Sequence, residues 1–442
     1  MTAPRTASTE WWHPMTSPDP STGASADVAT AAPAPPPSRF RLPAAFVSFE
    51  DADFRYLGLS TLALGFGQWA QQIGMAWLAY DLTGSAVQLG TISAFRAGVG
   101  TLTAPLGGYL ADRFPRRQVI IWTTASSVVQ AALLALLILS GAIQLWHVYV
   151  LAFAGGVIQS LTQPARQAFI FDISTDETLA NAIAMNSIVQ NVARIAAPPL
   201  TGVMIAAWGN GAPFATLAAT QVLAVVLTMF ISNKTRQRPL RNNGNAMTQI
   251  VEGFTATWRD KRVLGLMIVH TIPTLLVVPY LPFIALVSRD VLHEGASGYG
   301  WLASMAGWGA VLGLGVLAFL GNPKNKGLLM LGCFLVYIVG VLVFSFSHNY
   351  ALSLAALGIG GVFSSVAFAL NNTLLQIASP NEVRGRIMAV WQMTAGLQPL
   401  GALPMGLLIQ WYGPEIGMGS FMVVALVTFV VFTAAWGSIR RM

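Results

Sequence analysis

The sequence predicts an all-α integral membrane protein: twelve transmembrane helices in two six-helix, pseudo-symmetric bundles. Three observations carry this expectation. Only 9% of the 442 residues are charged and 55% are hydrophobic, too little polar side chain to cover a water-exposed globule of this size. The apolar residues fall into twelve continuous runs, each near the roughly 20 residues that cross a bilayer as a helix. Barrel strands would alternate with a period of two, and these runs do not. Finally, the connections between runs alternate in charge, as the loops of a multi-pass protein do.

Residues 1–53 come first and differ from all that follows. The stretch "STGASADVATAAPAPPPSRF" is rich in Pro, Ala and Ser without helical periodicity. It buries too little apolar surface to offset ordering, so a disordered cytoplasmic tail is expected. It also lacks the apolar core of a cleavable signal peptide, leaving the first span as its own insertion signal. The first bundle, 54–232, holds spans near 56–79, 86–110, 118–140, 147–170, 182–207 and 213–232. A cytoplasmic linker follows at 233–262. Within it Ile250, Phe254 and Trp258 recur every fourth residue beside Arg259, Lys261 and Arg262, an amphipathic helix suited to an anionic bilayer surface. The second bundle, 263–442, holds spans near 263–288, 298–320, 327–346, 351–375, 386–410 and 417–437. In its first span, Pro273, Pro279 and Pro282 should kink the helix.

The halves carry a faint repeat. "FDISTDETLANAIAM" (171–185) aligns without gaps to "LQIASPNEVRGRIMA" (375–389), each between the fourth and fifth span of its half. A duplicated six-helix unit gives this pattern.

One set of connections contains "DRFPRR", "PARQ", "NKTRQRPLR", "WRDKR", "PKNK", "NEVRGR" and the terminal "IRRM"; of the 24 Lys and Arg, only Arg96, Arg194 and Arg289 lie off that side. The positive-inside rule therefore puts both termini in the cytoplasm and the protein in the cell (inner or plasma) membrane. Because the charges are spread between spans, the net charge of +7 offers no continuous face to a nucleic acid. The one cysteine, Cys333, sits in an apolar run and reads as a small buried hydrophobe. No metal-ligand or cofactor motif, P-loop, HExxH or GxSxG occurs, which argues against an ATP-driven pump or a membrane enzyme. A monomer working in the lipid bilayer is expected.

"GGYLADRFPRR" between the second and third spans carries Gly108, Asp112, Arg113, Arg116 and Arg117. With twelve spans and a basic central loop, this resembles the major facilitator superfamily, over about 54–440. "YDLTGSA", "PARQAF", "NAIAMNSIVQNVARIAAPPLTG" and "RGRIM" look like its branch of siderophore exporters and macrolide efflux pumps. "ARIAAPPLTG" is similar to the Gly-Pro motif of antiporters, with Pro198, Pro199 and Gly202 kept and alanines in place of other glycines. The resemblance implies a secondary transporter that exports a small organic molecule by alternating access with proton antiport. It also implies a latch. Asp112 would meet the N-terminus of the eleventh span when the cytoplasmic side closes, as helix N-termini stabilise carboxylates, and Arg116 would then pair with Asp172. Uptake by symport, or a non-transporting sensor or assembly partner, are the alternatives.

Groups that could touch the small-molecule substrate follow from depth and face. Ionisable side chains at membrane depth are costly and mark pathways or partners: here Arg96, Arg194 and His270. Gln68 and Gln72 lie one turn apart on the first span, Gln159 and Gln163 on the fourth, Asn371 and Asn372 on the tenth, Trp391 and Gln392 on the eleventh. Such amides also join helices to each other in membranes. No Asp or Glu falls mid-span, so the candidates for a proton-carrying group are Asp81, Asp112, Asp172 and His270.

Overall fold

The computed structural model describes residues 52–174, 178–232, 246–321, 323–437 and 439, with the backbone alone at 112, 180, 246–250, 395 and 399. The N-terminal tail therefore lies outside the described residues. The first half is α1 (Ala52–Thr83), α2 (Ala86–Arg113), α3 (Arg116–Leu139), α4 (Leu145–Ile173), α5 (Leu179–Trp208) and α6 (Ala212–Phe230). The linker holds α7 (Ala246–Arg259). The seventh span is composite: α8 (Lys261–Leu276), a 3-10 segment Val278–Phe283, the short turn α9 (Ile284–Leu286) and a π turn Val287–Val291. The α-helix stops where Pro279 and Pro282 supply no amide donors. Then come α10 (Ala296–Leu320), α11 (Lys326–Ser345), α12 (Tyr350–Ala378), α13 (Arg384–Thr394) and α14 (Gln398–Ala435).

Among the described residues, eight helices are long and apolar enough to cross a membrane. α1, α2 and α5 are not among them because polar residues interrupt them: Gln68, Gln71 and Gln72; Arg96; Gln190, Asn191 and Arg194. These helices face the cavity described below.

The connection expected between the eleventh and twelfth spans is a tight turn at Gly413, whose φ is +85° and ψ +165°, so α14 is two helices that meet at this residue. Glycine reaches that region without a Cβ penalty, and Pro414 beyond it is preset for a helix start. Gly413→Ala should therefore cost about 1–2 kcal/mol, read as a lower unfolding temperature of the detergent-solubilised protein; an unchanged temperature would show that the turn tolerates a Cβ.

The halves pack alike. α2 lies on α4, and α3 on α4 and α6; correspondingly α10 lies on α12, and α11 on α12 and α14. Glycines bring the backbones together. A Cβ at Gly107 would sit 2.1 Å from the Ser160 carbonyl, and one at Gly309 would sit 2.3 Å from that of Gly358. Inside the second half Phe334, Phe344 and Phe429 are fully buried, while large apolar side chains such as Trp122, Leu102 and Phe319 stand exposed on the outer surface, an apolar belt suited to lipid. Between halves, α5 packs on α10, α2 on α14, and α1 against α9 and the 3-10 segment.

Candidate functional site

The halves meet on the face away from the basic loops. Asp81 near the end of α1 pairs with Arg289 at 3.0 Å, and Asn210 donates to its other oxygen at 2.8 Å. The Tyr80 hydroxyl donates to Asp290, with the Arg289 guanidinium 5.7 Å from the Tyr80 ring. Ser85 Oγ and the Ala86 amide both donate to Gln410 Oε1, at 3.0 and 3.1 Å. Beside this latch the α5–α10 seam is tight. A Cβ at Gly202 would lie 2.3 Å from the Ala296 carbonyl, and one at Gly300 would lie 2.5 Å from that of Pro198. Pro198 and Pro199 lack amide hydrogens, so the carbonyls a turn earlier lose their helical donors. The Gly-Pro motif thus sits in the seam that closes this face.

Beneath the latch lie two adjoining cavities that share Trp69. One, of about 320 Å³, lies within the first half between α1, α4 and α5, lined by Thr61, Gln68, Gln163, Arg166, Gln190, Asn191 and Arg194. The other, of about 270 Å³, lies between the halves. Its first-half wall includes Gln72, Arg96 and Gln159; its second-half wall includes Pro279, Leu281, Pro282, Tyr299, Ala303 and Gln398. No carboxylate lines either cavity among the described residues.

Three guanidinium groups define the polar side. Arg96 Nη2 donates to Gln71 Oε1 at 3.4 Å and Gln159 Oε1 at 3.2 Å. Arg166 Nη2 donates to Thr61 Oγ1 at 2.5 Å. The Arg194 guanidinium lies 5.7 Å from the Trp69 ring, a cation–π contact. Arg96 Nε and Arg166 Nη1 are buried without a hydrogen-bond partner. Arg166 corrects the sequence reading, which counts it with "PARQ" among the basic loops: α4 continues to Ile173, so Arg166 lies inside the helix and is buried.

The second-half candidates gather elsewhere. Asn371 is fully buried; its Nδ2 donates to the Leu266 carbonyl at 2.9 Å and its Oδ1 accepts from Trp391 Nε1 at 3.1 Å. His270 is buried between Phe368 and Trp391, at ring distances of 5.3 and 4.8 Å. Asn372 accepts from Gln376 at 2.5 Å, and Gln392 is exposed. None of these five lines the two cavities. Asn371 and Trp391 instead tie α8, α12 and α13 together, because their polar atoms are spent on neighbouring helices, while His270 joins them through ring packing and its Nδ1 is buried without a hydrogen-bond partner.

The basic motif is also placed. Arg116 Nη1 lies 2.6 Å from Asp172 Oδ1, with side chains 7% and 1% exposed, and donates to the Ala168 carbonyl at 3.2 Å. Arg117 donates to the carbonyls of Thr228 and Met229, capping the C-terminus of α6 where cations are favoured. Arg113 donates to the Tyr109 hydroxyl, and a Cβ at Gly108 would meet nothing within 4 Å. The Asp112 side chain lies outside the described residues. Arg116–Asp172 is expected to form only on closure between the halves; the structure corrects this, because both residues belong to the first half and pair while the halves join on the opposite face. On the linker, α7 rests on α13 through Gly253, where a Cβ would lie 2.6 Å from the Arg386 carbonyl, and Glu252 pairs with Arg386 at 2.7 Å. Phe254 and Trp258 are exposed, whereas the Ile250 side chain is outside the described residues.

Residues 43–435 match the family of transmembrane secretion effectors. The chain is 24% identical over 371 residues to the staphyloferrin A transporter of Staphylococcus aureus, covering 81% of this chain and 90% of that one. It is 24% identical over 314 residues to the enterobactin exporter of Escherichia coli O1:K1, covering 70% and 74%. Among solved structures it resembles the nucleoside transporter NupG, with TM-score 0.67 and 13% identity over 89% of this chain and 100% of that one. It also resembles the peptide transporter POT in complex with sulfate, with TM-score 0.69 and 15% identity over 88% and 95%. Both share its all-helical fold.

Proposed function

The chain belongs to the transmembrane secretion effector family of the major facilitator superfamily, a membrane transporter, and from that premise we propose that it exports a small organic molecule from the cytoplasm by alternating access with proton antiport. The observation that supports this most is the cavity between the halves, adjoining a second one inside the first half and held shut on one face by Tyr80, Asp81, Arg289 and Asp290. The basic loops face the other way, so the positive-inside rule assigns the joined face to the outside and the state to one that loads from the cytoplasm. Exchange of the closed face between the two sides moves a bound molecule across without a continuous pore. The names of the siderophore-transporting relatives favour export of a chelator of that kind, a macrolide or a similar amphiphile. The proton is the coupling ion we assign. Asp81 and Asp290 are the carboxylates at the junction of the halves, and Asp112 the one in the basic motif.

Reconstituted vesicles test this: uptake of the metal-free siderophore into inside-out vesicles should rise with an imposed proton gradient and collapse on adding a protonophore. Transport indifferent to the protonophore would remove proton coupling, and uptake only in the opposite orientation would reverse the direction.

A further inference from the structure

We infer that the cavity recognises a polyanion, with the first half supplying the charge and the second half an uncharged, mostly apolar wall. This deepens the transporter reading and rests on the cavity being the transport site.

Arg96, Arg166 and Arg194 all come from the first half and all line the two adjoining cavities. Their partners are neutral: amides for Arg96, a hydroxyl for Arg166 and an indole ring for Arg194. Described ion pairs are placed elsewhere, at the latch, at the basic ends of α3 and α4, on the linker and at His348–Glu415. Three cations at membrane depth with no facing carboxylate, Arg166 buried and Arg96 and Arg194 half-buried, are costly on their own. Two of them also hold an N–H group that finds no acceptor, Arg96 Nε and Arg166 Nη1. An anion at each of two points would satisfy both, since guanidinium groups bind carboxylates through paired, charge-assisted hydrogen bonds. Arg96 belongs to the cavity between the halves, and Arg166 and Arg194 to the one inside the first half. The ligand class is therefore a molecule with two or more separated carboxylates or similar oxyanions. A lipophilic cation is excluded by the same field. Facing Arg96, the second half offers Leu281, Pro282 and Ala303 with Gln398 as the amide, a surface that shields charge without choosing it.

The probe is citrate, compared with acetate and with the cationic dye ethidium, bound to the purified full-length protein in detergent and read by tryptophan fluorescence. Citrate should bind at least about tenfold tighter than acetate, and Arg166→Gln or Arg194→Gln should weaken it by about tenfold or more, the scale of one charge-assisted hydrogen bond. Arg166→Lys, which keeps the charge, should retain most of the binding, and its unfolding temperature separates loss of the site from loss of the fold. Ethidium binding that is undiminished in the arginine variants, with no citrate binding, would overturn the proposal. Because this reads binding alone, failure of vesicle transport with citrate binding intact would count against the exporter reading instead.

Discussion

Asp172→Asn is expected to destabilise the protein by about 3–5 kcal/mol, the scale for breaking a buried ion pair by removing one partner. Asp172 is 1% exposed and Arg116 is 7% exposed, at 2.6 Å. The neutral amide keeps the shape but leaves the guanidinium charge with only the carbonyls of Ala111 and Ala168. The unfolding temperature in detergent should fall by many degrees, and the double variant Arg116→Met with Asp172→Leu should recover most of it, because well-packed apolar pairs replace buried ion pairs at little cost. A gate contact behaves differently. It would shift the population of closed and open states while leaving unfolding nearly unchanged, so an unaltered unfolding temperature would restore the latch reading of Arg116. The geometry favours a staple, since Arg116 joins α3 to α4 and Arg117 joins α3 to α6.

The fold was legible because most spans leave a run of apolar residues and basic loops alternate with loops nearly free of basic residues. The amphipathic pattern of the linker likewise marks α7, and the prolines of the seventh span mark its break. Gly413 was harder to see. A turn of one residue leaves no polar stretch, and the sequence "WYGPEI" reads as a loop rather than as a glycine break between helices. Arg166 was misplaced for a related reason: "PARQ" looks like a basic loop, and only the continuation of α4 to Ile173 shows the side chain turned inward. Gln68, Gln72, Gln159, Gln163, Arg96 and Arg194 line the cavities as their depth suggests. Asn371 and Trp391 carry the same residue-level signal, yet they bond to each other. Depth and polarity mark a side chain that needs a partner; only the packing says whether that partner is a helix or a ligand. The latch was invisible because Asp81 and Arg289 are 208 residues apart, and charges at two loop ends carry no sign of being neighbours.

Which contacts hold the outer face shut is a question of magnitude. Asp81 and Arg289 are 39% and 44% exposed, and a pair so open to solvent contributes about 1 kcal/mol or less. Losing it should shift the equilibrium between states by no more than about fivefold. The α5–α10 seam is different in kind. At Gly202 an added Cβ would lie 2.3 Å from the Ala296 carbonyl, and at Gly300 2.5 Å from that of Pro198, so either change forces two backbones apart. Overpacking of this sort costs about 1–3 kcal/mol for one small group, and here it acts only on the closed arrangement. Gly202→Val is therefore expected to lower transport by about tenfold or more and to leave the outer face open. Arg289→Ala should have the smaller effect. In a Cys333→Ala background, a cysteine placed at Ser85 should react faster with a maleimide in the Gly202→Val protein than in the Arg289→Ala protein. The reverse order would mean that the ion pair, and not the glycine seam, closes this face.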